Sequence, residues 1–109
     1  METTFIHSAD GTRLRIGKSG GGDKNVLLIH GLAEHLGRYG HVVEALNEAG
    51  WAVTAVELRG HGESEGKRGH VKNWNQYLDD ARAAAATIDG PLVIVGHSMG
   101  GLVALDLAI

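Results

Sequence analysis

Leu92-Val93-Ile94-Val95-Gly96-His97-Ser98-Met99-Gly100-Gly101-Leu102-Val103 reads as an apolar run, a G-x-S-x-G turn and a second apolar run. The first run has the length and β-branched content of a buried strand, and the second, continued by Leu105, opens a helix. A serine on so sharp a strand-to-helix turn sits on strained backbone, and its flanking positions need residues without a Cβ to clear the neighbouring chain. Gly96 and Gly100 meet that need. The positive end of the following helix points at Ser98 and favours negative charge developing there. The alternative is a plain glycine-rich turn in which Ser98 serves as an ordinary N-cap.

Outward from this stretch the pattern repeats. Val26-Leu27-Leu28-Ile29 and Trp51-Ala52-Val53-Thr54-Ala55-Val56 are further apolar runs, of the kind buried on both faces in a parallel sheet. Between them Tyr39, Val42, Val43, Leu46 and Ala49 form a helical stripe that stops at Gly50, a helix-ending glycine. Trp74, Tyr77, Leu78, Ala81, Ala85 and Ile88 form a second stripe, with Asn73 placed as its N-cap. Upstream, runs 3–8 and 12–18 flank Asp10-Gly11, a hairpin turn signal, and Leu14 and Ile16 alternate with Arg13 and Arg15. We therefore expect one α/β domain: a hairpin over residues 1–18, a glycine-rich link, and a βαβαβα core over 25–109 with a mostly parallel sheet and right-handed crossovers. The last helical stripe is still running at Ile109, with no Gly, Asn or Pro to end it. The expectation is a domain truncated after this helix, with strand 92–95 at a raw sheet edge.

The chain has 109 residues, 43% hydrophobic and 21% charged, with a net charge of −3. Such usage predicts a packed core, and the absence of any basic block excludes an electrostatic footprint for nucleic acid. With no cysteine there is no disulfide, no thiolate zinc site and no thiol nucleophile. The N-terminus lacks the basic and apolar regions of a secretory signal, and no run reaches the ~20 apolar residues of a membrane span. A cytoplasmic location is expected; oligomeric state is not readable. Gly17-Lys18-Ser19 lacks the upstream glycine of a P-loop, and His30 to His35 is one residue too long for H-x-x-E-H. The Gly60 to Glu65 stretch lacks the last glycine of a dinucleotide fingerprint. No metal and no cofactor are expected.

His30-Gly31-Leu32 closes the first apolar run. Acyl transfer needs two backbone N–H donors for the oxyanion, one from the residue after the nucleophile and one from the loop after an earlier strand. Met99 and Leu32 occupy those places; alone, Gly31 would be a simple turn residue.

Three strings, His30-Gly31-Leu32-Ala33-Glu34-His35-Leu36-Gly37-Arg38-Tyr39, Arg59-Gly60-His61-Gly62-Glu63-Ser64-Glu65-Gly66 and Gly96-His97-Ser98-Met99-Gly100-Gly101, together resemble the α/β-hydrolase superfamily, and within it the monoacylglycerol lipases and lysophospholipases. One departure is Glu57, where relatives commonly carry Asp. The resemblance implies the N-terminal part of that fold, Ser98 as nucleophile, and Leu32 and Met99 as oxyanion donors. It implies that His30, Gly31, Glu34, His35, Arg38 and His97 line or brace the site. Spacing alone instead favours a surface ion pair between Glu34 and Arg38, and makes His97 a supporting neighbour of the nucleophile, since an adjacent residue on so tight a turn points elsewhere.

In this fold the triad runs Ser, then acid, then His along the chain. After Ser98 there is one acid, Asp106, two turns down the same helix, and no histidine. The earlier histidines, His7, His30, His35, His41, His61 and His70, are not expected to substitute. Triad acid and base are thus absent from these residues, and little turnover is expected of them alone. The expected function is a serine hydrolase of carboxylic esters, of monoacylglycerol or lysophospholipid type, with a small-molecule ester or lipid substrate and, by implication, peripheral contact with lipid surfaces. The alternatives are another carboxylesterase, thioesterase or aminopeptidase of the same fold, or a non-catalytic binding module.

Overall fold

The computed structural model describes residues 1–109. The elements run β1 (Glu2–His7), β2 (Arg13–Ser19), β3 (Lys24–Ile29), a 3-10 turn (Leu36–Tyr39), α1 (Gly40–Glu48), β4 (Trp51–Val56), α2 (Trp74–Ala85), β5 (Leu92–Gly96) and α3 (Met99–Ala108). One five-stranded sheet has the order β1-β2-β4-β3-β5. The hairpin strands pair antiparallel with each other and with β4, while β4, β3 and β5 run parallel. This is the α/β architecture expected from the alternation of strand and helix stripes.

The hairpin turns where Asp10-Gly11 placed it. Gly11 takes a φ of +87° and the Asp10 carboxylate accepts from the Thr12 N–H at 3.1 Å, as the turn chemistry of these residues requires. Helix α2 begins with the capping box of Asn73 and Gln76, which satisfies two of its orphan N–H groups.

The two faces of the sheet bury different stripes. Leu27, Ile29 and Val56 meet Tyr77, Leu78, Ala81 and Ala84 of α2 and Val103 of α3. On the other face Leu28, Val53 and Ala55 pack with Val43 of α1 and with Leu36 and Tyr39. β5 departs from the expectation of burial on both faces. In register with Val26 and Leu28, Val93 and Val95 lie on the α1 side, where they are 49% and 37% exposed. The cause is topological: β5 is the edge strand, and α1 packs over β4 rather than reaching it.

The loop after β4 is anchored by two charged hubs. Glu57, fully buried, receives Arg15 at 2.8 and 2.9 Å and the N–H groups of Glu63 and Leu36 at 2.9 and 3.0 Å. Burial raises its carboxyl, but the Arg15 guanidinium and these N–H donors outweigh that and leave it below the ordinary carboxylate range. Arg59 donates to Asp80 of α2 at 2.7 Å and to Asp10 of the hairpin turn at 2.7 Å.

Candidate active site

Ser98 joins β5 to α3 with φ 55° and ψ −117°. An N-capping serine has extended backbone and an oxygen bonded to the first turn. Ser98 has neither, and its side chain makes no capping bond, so the plain N-cap alternative fails on both counts. Strain of this kind on a non-glycine residue is held only where the surroundings enforce it. Here the enforcement is close packing. A Cβ on Gly100 would fall on the carbonyl oxygens of Ile29 and His30, and one on Gly96 would fall on that of Gly100. The His97 N–H donates to the Ile29 carbonyl at 3.1 Å, so the turn is tied to the end of β3.

The second half of the site is the loop after β3. His30 is buried, and its Nε2 lies 3.0 Å from the Leu58 N–H. Because that N–H can only donate, Nε2 accepts and Nδ1 carries the proton, donating to the Gly31 carbonyl at 2.6 Å. Burial lowers the His30 pKa, in keeping with a neutral ring. The Gly31 N–H donates to Glu34 Oε1 at 2.8 Å, and the Glu34 N–H returns to the Gly31 carbonyl at 3.3 Å. Between them Ala33 sits at φ 61°. Gly31 itself has no positive φ; a Cβ there would come within 2.8 Å of Glu34 Oε1 and 3.2 Å of the His97 carbonyl, so a side chain would push Glu34 aside and crowd the nucleophile turn.

Glu34 is the meeting point. The same Oε1 takes the Tyr39 hydroxyl and faces His97 Nδ1 at 3.2 Å. The Tyr39 hydroxyl first, then the Gly31 N–H, hold its carboxyl at a pKa of about 2. Burial, then the carboxylate, push Tyr39 up to about 12.

Several expectations change. Glu34 and Arg38 form no ion pair: the carboxylate turns inward to Gly31 and Tyr39, whereas Arg38 is exposed in the last turn of the 3-10 helix. His30 does not line an open site but supports it from beneath, at 1% exposure. His35 is exposed and caps the 3-10 turn through Nδ1 to the Gly37 N–H. His97 is exposed, with its Nδ1 3.2 Å from Glu34 Oε1. Leu32 is 57% exposed, and its N–H donates to no acceptor in the chain. Met99, first residue of α3, has no intrahelical acceptor for its N–H. Asp106 accepts from the Trp74 indole at 2.7 Å, away from Ser98, and the histidine hydrogen bonds run to other partners than Ser98.

Sequence reading missed Tyr39 as a hydrogen-bond donor, assigning it only to a helical stripe, and missed Glu57 as a buried hub. Their signal was a polar group beside a buried run, which spacing alone does not resolve. It also missed His61, buried against His30 with ring centroids 4.7 Å apart and Nε2 unpartnered.

A strained serine between an apolar strand and an apolar helix, facing a braced loop across a mostly parallel sheet, is the arrangement of an α/β hydrolase. Residues 21–109 match the family described as serine aminopeptidase, S33, and the chain belongs to that family. It is 42% identical over 81 residues to a monoacylglycerol lipase of Mycolicibacterium smegmatis, covering 70% of this chain and 29% of the relative. It is 38% identical over 84 residues to the phospholipase YtpA of Bacillus subtilis, covering 74% of this chain and 32% of that protein. The crystal structure of a Paleococcus ferrophilus monoacylglycerol lipase superposes with a TM-score of 0.80 at 38% identity, covering 87% of this chain and 37% of that one. The chain thus spans about a third of the length of the relatives it matches. No helix is long and apolar enough to cross a membrane.

Proposed function

We propose that Ser98 is the nucleophile of a serine hydrolase acting on carboxylic esters, of the monoacylglycerol or lysophospholipid class. The observation that carries this reading is the Ser98 backbone: a strained φ of 55° with a side chain that caps nothing. In the proposed reaction Ser98 Oγ attacks the ester carbonyl and the tetrahedral oxyanion forms between the N–H groups of Leu32 and Met99. The alcohol then leaves with a proton, and water releases the acid from the acyl-serine. These residues span about a third of the length of the relatives they match, and in this proposal they correspond to the N-terminal part of the fold. They furnish nucleophile and oxyanion donors, and the triad acid and base come from elsewhere in the intact protein.

The substrate class rests on the lipase and phospholipase relatives. The test is hydrolysis by the intact protein of a monoacylglycerol, a lysophospholipid, an acyl thioester and an aminoacyl amide, each repeated with Ser98→Ala. Ester cleavage abolished by the substitution is expected. Preference for the thioester or the amide would move the substrate to another class, and no Ser98-dependent cleavage of any of them would leave a binding module as the better reading.

A further inference from the structure

The Leu32 N–H must be held in place to serve as an oxyanion donor, and the loop bearing it carries Ala33 at a strained φ of 61°. The geometry points to Glu34 as the positioning residue that ties this loop to the nucleophile turn, without itself touching the substrate. This inference rests on the reading of Ser98 and Leu32 just given.

Two observations carry it. Glu34 grips the residue three before it from both sides: its carboxylate takes the Gly31 N–H at 2.8 Å and its own N–H reaches the Gly31 carbonyl at 3.3 Å. That carbonyl is also held by His30 Nδ1 at 2.6 Å. With both polar groups of Gly31 engaged, the next N–H along, that of Leu32, is left without a protein acceptor. Second, the same Oε1 lies 3.2 Å from Nδ1 of His97, the residue before Ser98, and takes the Tyr39 hydroxyl from the end of the 3-10 turn. One carboxylate oxygen therefore connects the loop that offers one proposed donor to the turn that carries the other. It does so from the side: Glu34 is half-buried, with its bonds directed to protein groups. Strain held by surrounding contacts is what preorganised sites use, and displacing such a donor by about 1 Å is enough to cost rate.

The experiment compares intact native protein with E34A, E34Q and S98A, measuring kcat and KM on a monoacylglycerol ester, with thermal melting as a check on folding. E34A is expected to lower kcat by ~10²-fold, approaching the loss of one oxyanion donor, while KM stays within about twofold because ground-state binding is untouched. E34Q, which keeps an oxygen for the Gly31 N–H but loses the charge, is expected to fall between, about tenfold below native. If E34A does not fold, the isosteric E34Q still carries the test. Native kcat in either variant, or a change confined to KM, overturns the positioning role. S98A separates the two claims: activity that survives it overturns the Ser98 reading itself, whereas an inactive S98A beside a fully active E34A overturns only the role of Glu34.

Discussion

At the residue scale the site is a matter of atoms that have no room to be otherwise. Gly100 is the clearest case, since a Cβ there would overlap two backbone carbonyl oxygens that cannot swing aside. Gly100→Ala is expected to cost about 3 kcal/mol, at the upper end of overpacking penalties, read as a lower urea midpoint; an unchanged midpoint would show that the end of β3 yields more easily than described. Glu34 gives a second prediction. Its folded pKa of about 2 lies below the ordinary 4.5, so its contribution is complete above about pH 4.5 and is lost as pH falls through about 2. The Gly31 amide proton, bonded to that carboxylate, should titrate in NMR spectra with a midpoint near 2, and a midpoint near 4.5 would mean the bond is not formed in solution. Ser98 was legible from sequence because glycine spacing and flanking apolar runs encode the turn directly. Glu34 was misread as half of a surface pair because i, i+4 spacing presumes one α-helix, whereas Glu34 lies in the loop before a 3-10 helix that starts only at Leu36.

At the element scale the secondary structure was legible wherever one pattern ruled alone. Asn73 signalled the start of α2 because an Asx residue before an amphipathic stripe has one favourable use. Asn73→Ala should cost about 1 kcal/mol, measured by chemical denaturation, and a negligible cost would place the stability of α2 wholly in its packing. Long-range polar ties were not legible: nothing in the spacing of Asp10, Arg59 and Asp80 shows that a hairpin turn, a loop and a helix meet. Arg59 and Asp80 are both buried, so Asp80→Ala leaves a guanidinium with only its hairpin partners. A loss of about 3–5 kcal/mol is expected, as for breaking one side of a buried pair; a loss under about 1 kcal/mol would show that Asp10 and solvent suffice.

On the scale of the whole molecule, the sheet is covered unevenly. Val93 and Val95 on the α1 face of the edge strand, and Leu102 and Leu105 on α3 against the other face, expose apolar surface, where native proteins normally place cover. The isolated 109-residue polypeptide is expected to self-associate, and Leu102→Glu with Leu105→Glu to reduce that association in light scattering; a monodisperse native chain would contradict it. The run Leu92–Val95 looked like a doubly buried strand because sequence shows what a strand could bury, while topology decides what is available to cover it. The central claim, that Ser98 is an activated nucleophile, is tested most directly by treating the intact protein with a fluorophosphonate and mapping the adduct by mass spectrometry. A single covalent adduct on Ser98, absent from Ser98→Ala, is the predicted result, and an intact protein that stays unlabelled, or is labelled elsewhere, would contradict it.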